Sequence, residues 1–398
     1  MSLVLVQQLP GAFRPLAPFL QSFGCGHLDL ALPDGRRLSF AGGEPGPRAG
    51  LTVHSPRFVH RLLTGGANGF AESYLESDFD TPDLTALLAL FARNADRWSE
   101  GLQGRAWYRL AQRAYHLLHR NSRAGSRRNI LAHYDLGNDF YGRWLDTSMT
   151  YSAALYEGAD DDLETAQQAK YRAIAELAGI ARGDRVLEIG CGWGGFACIA
   201  AKECGADVTA ITISDAQYAY ARERVQREGL GERVRVLRQD YRDTEGSFDR
   251  VVSIEMFEAV GEAYWPLFFD RLRSRLRPGG GAALQIITID DRHFPRYRRR
   301  ADFIQRHVFP GGMLPSPTAL QRAIGAAGLA VARDRGRGAD YARTLAEWRG
   351  RFEAAWPELA GKGFDERFHR LWRYYLAYCE AGFLTQRIDL RQLAIRHR

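Results

Sequence analysis

The chain has 398 residues, of which 45% are hydrophobic, and a formal net charge of +7. Its length exceeds that of one typical core, so we expect two domains, and no apolar run reaches the ~18 residues that span a membrane. The first residues lack the pattern of a secretory signal, and the five cysteines form no C-x-x-C pair. We therefore expect a cytoplasmic protein that is soluble or peripherally membrane-associated.

Residues 1–128 are predicted to form a separate small domain that docks on lipid. Apolar residues on both sides of Pro33-Asp34-Gly35 indicate a β-hairpin, and helical patterns extend from about residue 55 to residue 119. Residues 105–120 combine arginines with aromatic residues in the pattern of a basic amphipathic helix, and a polar linker follows at 121–129. Such a helix suits an anionic surface, and a solvated helix face explains the pattern about as well.

Residues 129–398 are predicted to form the second domain, in which strands and helices alternate from about residue 163. Strands are predicted at 185–189, 207–213, 234–239, 248–254 and 282–289, and helices at 164–177, 195–204, 215–228 and 263–276. This alternation predicts an α/β fold with a doubly wound, mostly parallel sheet, whose ligands bind beyond the carboxyl ends of the strands. Two aromatic helices, at 345–356 and 364–383, are predicted near the end of the chain.

A substrate insertion is predicted at about 290–345, where the regular alternation stops. Its first half combines a run of arginines with Phe303, Ile304, Val308 and Phe309. An insertion of this length is more often functional than idle. Its composition suits a ligand with an anionic head and an apolar tail.

The segment 186–195, Val-Leu-Glu-Ile-Gly-Cys-Gly-Trp-Gly-Gly, places a glycine-rich turn between a short strand and a helix. Gly190 and Gly192 allow the backbone to approach a ligand, and the start of the helix offers unpaired N–H groups. The spacing, together with Glu188, is typical of the S-adenosylmethionine loop of class I methyltransferases, because a carboxylate there suits the cationic α-amino group of that cofactor. The alternative is an ordinary turn in a doubly wound sheet.

Further cofactor contacts are predicted after the next two strands. Thr212, Ser214 and Gln217 follow the second strand, where they would meet the ribose and methionine parts of the cofactor, although a serine or threonine there is also a typical helix N-cap. Asp240 and Tyr241 follow the third strand and suit an adenine, with a carboxylate for its exocyclic amine and a ring beside the base. No cluster of cysteine and histidine residues in the sequence indicates a metal site.

Several motifs together resemble the cyclopropane fatty acid synthase family. They are HYDLGNDFY (133–141), YS (151–152), LETAQQAK (163–170), EIGCGWGG (188–195), QDYRD (239–243), FEAVG (257–261) and FPGGMLP (309–315). The resemblance covers most of the chain from residue 133 onward and implies a seven-stranded class I methyltransferase sheet. It also implies that a one-carbon unit passes from S-adenosylmethionine to the cis double bond of an unsaturated phospholipid acyl chain, giving a cyclopropane ring and S-adenosylhomocysteine.

The resemblance assigns roles to individual residues. It places Tyr151 and Ser152 at the cofactor, and the aromatic faces of Tyr134, Tyr151 and Phe257 would stabilise a carbocation in a dry pocket. A bicarbonate ion would then remove the proton whose loss closes the ring. The implied catalytic residues are Glu258, Tyr341, Tyr134 and Gln285, and the implied bicarbonate site consists of Ala153, Glu258, Gln285, Ile287 and Tyr341.

Two positions depart from the family pattern. Ala153 stands where the family commonly has cysteine, and Gln285 stands where it has histidine. Alanine keeps its backbone N–H, whereas glutamine cannot ionise, so a bicarbonate would bind with weaker charge compensation. An alternative is therefore a non-cyclising methyltransferase that gives methyl- or methylene-branched chains.

Two other functions are also considered: a methyltransferase for a small soluble substrate, and a cofactor-binding protein without catalytic activity. If the protein is the phospholipid-modifying enzyme that the resemblance implies, we expect its partners to be unsaturated phospholipids at an anionic membrane surface, and we expect no nucleic acid partner. A homodimer is left open.

Overall fold

The computed structural model of the protein describes residues 9–99 and 136–398. These residues form one sheet of four strands and one of seven. The basic helix predicted at 105–120, its linker, the domain boundary predicted at 128 and Tyr134 lie outside the described residues.

The four-stranded sheet belongs to the N-terminal region and has the strand order β2-β1-β3-β4. Its strands are β1 (Cys25–Ala31), β2 (Arg37–Ala41), β3 (Glu44–Val53) and β4 (Phe79–Asp80). The antiparallel pairing of β1 with β2 around the turn at Gly35, where φ is +86°, confirms the predicted hairpin. Strand β3, which pairs in parallel with β1, was not predicted.

Helices cover this N-terminal sheet. They are α1 (Ala17–Gln21), α2 (Arg57–Gly65), α3 (Ala67–Leu75) and α4 (Leu84–Ser99). The predicted helical stretch from residue 55 is therefore divided, because Gly66 adopts a φ of +57° between α2 and α3 and the short strand β4 follows α3. Leu87, Leu88 and Leu90 of α4 are buried.

The seven-stranded sheet confirms the predicted doubly wound, mostly parallel α/β fold. Its strands are β5 (Arg185–Ile189), β6 (Asp207–Thr212), β7 (Val234–Arg238), β8 (Phe248–Ile254), β9 (Leu276–Ile289), β10 (Leu329–Gly336) and β11 (Ile388–His397). The order is β10-β11-β9-β8-β5-β6-β7, in which β5 to β9 pair in parallel and β11 runs antiparallel to both neighbours. The crossover between β7 and β8 brings the carboxyl ends of β5 and β8 side by side, where a ligand can bind.

The helices of this second region are α5 (Gly137–Tyr141), α6 (Leu163–Ala178), α7 (Gly195–Cys204), α8 (Asp215–Arg227), α9 (Trp265–Arg275), α10 (Phe294–Tyr297), α11 (Phe303–His307), α12 (Pro317–Ala326), α13 (Gly338–Gly361) and α14 (Glu366–Leu384). Their ends follow local rules. Helix α6 begins after Asp162, which accepts a hydrogen bond from the backbone N–H of Thr165, and ends at Gly179 in the left-handed region. Helix α13 begins earlier and ends later than the predicted helix at 345–356.

The predicted insertion at about 290–345 requires a correction. Strand β10 and the start of α13 lie within that range, and β10 is an edge strand of the large sheet. Only the segment before α12, with the short helices α10 and α11, stands outside the sheet and its connecting helices. We call residues 290–316 the insertion below.

The described residues pack into three hydrophobic cores. Two of them lie on the two faces of the large sheet. The third joins the N-terminal sheet to α13 and α14, so the N-terminal region is packed onto the second region rather than attached by a linker alone. None of the described helices combines the length and apolar character needed to cross a bilayer.

Candidate active site

A cavity of about 1200 Å³ opens at the carboxyl ends of the parallel strands. This volume exceeds the roughly 300–1,000 Å³ of typical ligand pockets. The glycine loop after β5 forms one part of its wall, the insertion and α14 form another, and apolar residues of the N-terminal region form the rest. The cavity therefore has room for a cofactor and a second, larger ligand.

The glycine loop has the geometry that the sequence predicted. Gly190 has a φ of +82° and Gly192 a φ of +52°, so both adopt the left-handed region. A Cβ atom at Gly190 would lie 2.7 Å from Cγ of Met256, so a side chain has no room there. The loop ends at Gly194, the N-cap of α7, which has no side chain to cap the first N–H groups of the helix.

Glu188 is buried beneath this loop, and its Oε2 atom has no hydrogen-bond partner among the described residues. Burial raises the pKa of Glu188 to about 8. A cationic group beside the carboxylate would offset that cost. The predicted α-amino group of S-adenosylmethionine supplies such a charge, so Glu188 and the loop fit this cofactor.

Lys170 is a site residue for which the sequence analysis assigned no role. It is fully buried, and its Nζ atom donates a hydrogen bond to Oγ of Ser152 at 2.6 Å. Burial lowers the pKa of Lys170 to about 7, although the charges of Glu255, Asp146 and Glu188 act in the opposite direction. Lys170 thus fixes the predicted cofactor residue Ser152 and interacts electrostatically with these three carboxylates.

Of the three residues predicted to meet the ribose and methionine parts of the cofactor, two line the cavity and one does not. Thr212 and Gln217 line the cavity, and Oγ1 of Thr212 donates to Oε1 of Gln217 at 2.9 Å. Ser214 is buried outside the cavity lining, and its hydroxyl accepts a hydrogen bond from the backbone N–H of Gln217. Ser214 therefore acts as the N-cap of α8 in this structure, the other role that its position predicts.

Asp240 and Tyr241 both line the cavity, as predicted. The carboxylate of Asp240 accepts hydrogen bonds from Nε of Arg242 at 2.8 Å and from its terminal nitrogen at 2.5 Å. This bidentate pair holds the carboxylate in one orientation at the end of β7. The guanidinium of Arg242 also stands over the Tyr241 ring, 5.5 Å from its centre.

Tyr151 sits among other aromatic rings. Its ring centre lies 5.3 Å from Tyr141, 5.6 Å from Trp144 and 5.3 Å from Trp348, and its hydroxyl lies 2.6 Å from that of Tyr375. Rings in such edge and tilted arrangements form a rigid apolar wall. The predicted Tyr151 therefore supplies an aromatic face to the cavity. Phe257, by contrast, is buried in the core beneath the sheet and does not line the cavity.

Glu255, in the cavity wall, is a second residue that the sequence did not single out. Its carboxylate accepts three hydrogen bonds: from the backbone N–H of Ala153 at 2.9 Å, from Nε2 of Gln285 at 2.7 Å and from the hydroxyl of Tyr341 at 2.6 Å. These three donors are groups that the resemblance assigned to bicarbonate. In this chain they converge on a carboxylate of the protein itself.

The backbone of Glu255 is unusual as well. It directly follows β8 and has a φ of +49°, in the left-handed region that favours glycine. Its N–H donates to the backbone carbonyl of Gln285 on the neighbouring strand. A non-glycine residue held in this conformation at the end of a strand indicates a functional constraint.

The two glutamates of this wall have different surroundings. The Ile287 backbone N–H, which the resemblance assigned to bicarbonate, donates instead to Oε1 of Glu258 at 2.6 Å, and Oε2 of Glu258 has no partner among the described residues. Burial and the charge of Glu255 raise the pKa of Glu258 to about 8. Burial also raises the pKa of Glu255. Its three hydrogen-bond donors and the charge of Lys170 act in the opposite direction, because they favour the charged carboxylate.

Gln285, predicted as catalytic, does not reach the cavity and contacts Glu255 instead. It is fully buried behind Glu255, outside the cavity lining, and its Oε1 atom accepts a hydrogen bond from Nε2 of Gln392 on β11. This acceptor bond turns its amide nitrogen toward Glu255. Tyr341 does line the cavity, and its ring is stacked on Phe383 with 4.5 Å between the ring centres.

Two signals in the sequence point to the missed residues. Glu255 is a carboxylate at the carboxyl end of a parallel strand, where ligands bind, and it stands three residues before the predicted Glu258. Lys170 is the last residue of a motif that carried the resemblance. Neither position reveals from sequence which donors would face it.

The comparison with protein families decides the assignment. The model of the mycolic acid cyclopropane synthetase family matches residues 121–393. The chain belongs to this family. It is an S-adenosylmethionine-dependent methyltransferase with the class I fold, which confirms the predicted family and enzyme class.

Relatives of this family member cover most of its length. The tuberculostearic acid methyltransferase of Mycobacterium tuberculosis is 38% identical over 373 residues, which are 88% of this chain and 84% of the relative. The cyclopropane-fatty-acyl-phospholipid synthase of Escherichia coli is 37% identical over 362 residues, which are 87% of each chain. A crystal structure of a mycolic acid cyclopropane synthase complexed with SAH and CTAB superposes with a TM-score of 0.63 at 30% identity, covering 68% of this chain and 97% of that one.

Proposed function

We propose that this enzyme adds a one-carbon unit to the cis double bond of an unsaturated phospholipid acyl chain and closes a cyclopropane ring, with Glu255 as the base. The observation that carries the proposal is the set of three donors on the Glu255 carboxylate at the wall of a cavity that also contains the cofactor loop. Relatives named as a phospholipid synthase and a fatty acid methyltransferase support the substrate class.

The cavity suits a reaction that must exclude water. An alkene is a weak nucleophile, and the carbocation formed when it is methylated would be captured by water. The rings of Tyr151, Tyr341 and Tyr375 line the cavity and present aromatic faces that stabilise a cation without reacting with it. S-adenosylmethionine supplies the electrophilic methyl group when it is bound.

Glu255 then completes the reaction. One Oε atom accepts a proton from the newly added methyl group, and the electron pair of that C–H bond forms the third bond of the ring. Hydrogen bonds from Ala153, Gln285 and Tyr341 hold the carboxylate in place and favour its charged form. The pKa of Glu258, by contrast, is raised to about 8 by burial and by the charge of Glu255, so Glu258 is mainly neutral at pH 7. An internal carboxylate takes the place that the resemblance gave to bicarbonate.

A second candidate is the non-cyclising reaction. One relative, 38% identical, is named a tuberculostearic acid methyltransferase, and Gln285 provides no titratable group to the base. If the cation loses its proton from a chain carbon instead of the new methyl group, the product is a branched chain. A small soluble substrate is a weaker candidate, because apolar residues of the N-terminal region form so much of the cavity wall.

The test is an incubation of the full-length enzyme with cofactor labelled in its methyl group and dioleoylphosphatidylcholine vesicles. We expect label in the acyl chains, a mass increase of ~14 and cyclopropyl protons in the NMR spectrum. Glu255→Gln should lower kcat by about 10²-fold or more while cofactor affinity stays close to that of wild type. Vinyl protons would favour the second candidate, and lipid without label would contradict both.

A further inference from the structure

Three arginines lie together on the wall of the cavity, between the insertion and the end of α14. Arg296 and Arg300 belong to the insertion, and Arg387 follows α14. Their mutual repulsion is visible in Arg296, because burial and the charges of Arg300 and Arg387 lower its pKa. The repulsion between positive charges that lie close together raises the energy of the folded protein, and a bound anion would relieve it.

Two other arginines of the insertion already have acidic partners. Arg292 forms a bidentate pair with Asp290, and Arg298 pairs with Glu262. Arg387 donates to the backbone carbonyl of Ala92 and has Asp96 at 3.7 Å. Arg296 and Arg300, in contrast, form no ion pair within 4.0 Å with an acidic residue that the structure describes, and only the charge of Asp96 acts on Arg296 from a longer distance.

The walls beside these arginines are apolar and reach the reaction centre. Tyr297 and Met313 of the insertion line the same cavity, and the backbone N–H of Met313 donates to the carbonyl of Glu258 at 2.8 Å. On the other side, Phe19 and Phe91 of the N-terminal region line it too. A ligand that fills this space therefore has an anionic group at the arginines and apolar chains on either side.

We propose that Arg296 and Arg300, with Arg387, bind the phosphodiester of a glycerophospholipid whose acyl chain reaches Glu255. Guanidinium groups suit this role because they bind phosphate oxygens through paired N–H donors. The inference rests on the proposed function and extends it, since it makes the phosphate a recognised part of the substrate. A lipid without phosphate should therefore be a poor substrate even when its acyl chains are identical.

The chain offers a matched control in Arg299. In the sequence it lies between the two proposed phosphate-binding arginines and is exposed as they are, but it does not line the cavity. R296Q, R300Q and R299Q each remove one positive charge from the same segment. A general effect of surface charge would change all three variants equally.

The experiment uses mixed micelles of a non-ionic detergent that contain either dioleoylphosphatidylcholine or dioleoylglycerol. We expect the ratio of kcat/KM for the first lipid over the second to fall about tenfold or more in R296Q and in R300Q, and to stay within about twofold in R299Q. A wild-type enzyme that uses both lipids equally, or an R299Q variant that behaves like R296Q, overturns the proposal.

A binding measurement separates this proposal from the proposed function. Tryptophan fluorescence, to which Trp98 of the cavity wall contributes, is followed while phosphatidylcholine micelles are added in the presence of S-adenosylhomocysteine. We expect R296Q to need about tenfold more lipid than R299Q, whether or not any product forms. Inorganic phosphate at the same micromolar concentration should not alter the fluorescence. A fluorescence change with phosphate that is lost in R296Q would overturn the phospholipid assignment.

Discussion

Glu255 and Glu258 lie on one wall of the cavity, but their carboxyl groups have different partners. Three donors and the nearby Lys170 favour the charge on Glu255, whereas Glu258 has one donor and the repulsion of Glu255. The proton of this pair therefore resides mainly on Glu258. Because the two groups interact, they titrate as a coupled pair rather than as two independent acids.

The pH dependence of catalysis follows from this arrangement. Burial raises the pKa of Glu255 above its ordinary value of 4.5, and a base acts only when it is deprotonated. We expect kcat/KM to rise with pH through an apparent pKa above 4.5, measured on phosphatidylcholine micelles. Glu258→Gln should leave this limb nearly unchanged, because Glu258, whose pKa is raised to about 8, carries little charge in that pH range. A limb at or below 4.5, or one that persists in Glu255→Gln, contradicts the assignment.

The sequence predicted the glycine loop but did not single out Glu255, the proposed base. Glycine spacing identifies Gly190 and Gly192, since a left-handed turn restricts the residue type. Glu255 has no such signal of its own, because its role depends on donors from three distant segments, at Ala153, Gln285 and Tyr341. Those contacts exist only in the folded chain.

At the scale of elements, the carboxyl ends of β5, β6, β7 and β8 supply the site. The glycine loop after β5 is the most restricted of these connections, because Gly190 combines a left-handed backbone with contact to Met256. The predicted bounds of β5 and α7 agree with the structure, since each segment has a clear apolar pattern and a glycine boundary.

A substitution in this loop should separate cofactor binding from stability. Gly190→Ala places a Cβ 2.7 Å from Met256, so we expect the affinity for S-adenosylmethionine, measured by calorimetry, to fall about tenfold or more. Gly229→Ala is the control, because its φ of +69° carries the same kind of strain while nothing lies within 4 Å of the new Cβ. It should lower Tm by a few degrees and leave the affinity unchanged. Wild-type affinity in Gly190→Ala would show that the loop does not approach the cofactor.

Strands β10 and β11 were not predicted, for physical reasons. Most of β10 is exposed at the edge of the sheet, so it lacks a continuous apolar pattern. Strand β11 is central but contains the buried Gln392, whose amide serves Gln285 rather than the core. A polar residue that supports the active site interrupts the pattern from which a strand is predicted.

At the scale of the whole molecule, the N-terminal region and α14 share one hydrophobic core. Arg370 of α14 is buried at their junction and donates to the backbone carbonyls of Tyr74 at 2.5 Å and Phe79 at 2.9 Å. It also pairs with Asp80 at 2.8 Å. The contact positions the N-terminal wall of the cavity relative to the reaction centre.

Loss of Arg370 should therefore weaken the whole fold. Arg370→Met leaves two carbonyls without their donor, and we expect the free energy of unfolding in urea to fall by about 2–5 kcal/mol. Arg367→Met, on the same helix, removes an exposed arginine that pairs with Glu72 and Glu76, and should cost less than about 1 kcal/mol. Equal effects of the two substitutions would show that the junction contributes no special stability.

The most direct test of the internal base is the response of the enzyme to bicarbonate. Glycine suits the φ of +49° at position 255, so Glu255→Gly removes the carboxylate and leaves its three donors free for an anion. In bicarbonate-free buffer with labelled cofactor, we predict that wild type converts oleoyl lipid at a rate that added bicarbonate does not change. Glu255→Gly should be about 10²-fold slower and recover when bicarbonate is added. A wild-type enzyme that requires bicarbonate, or a variant that is fully active without it, would contradict the account.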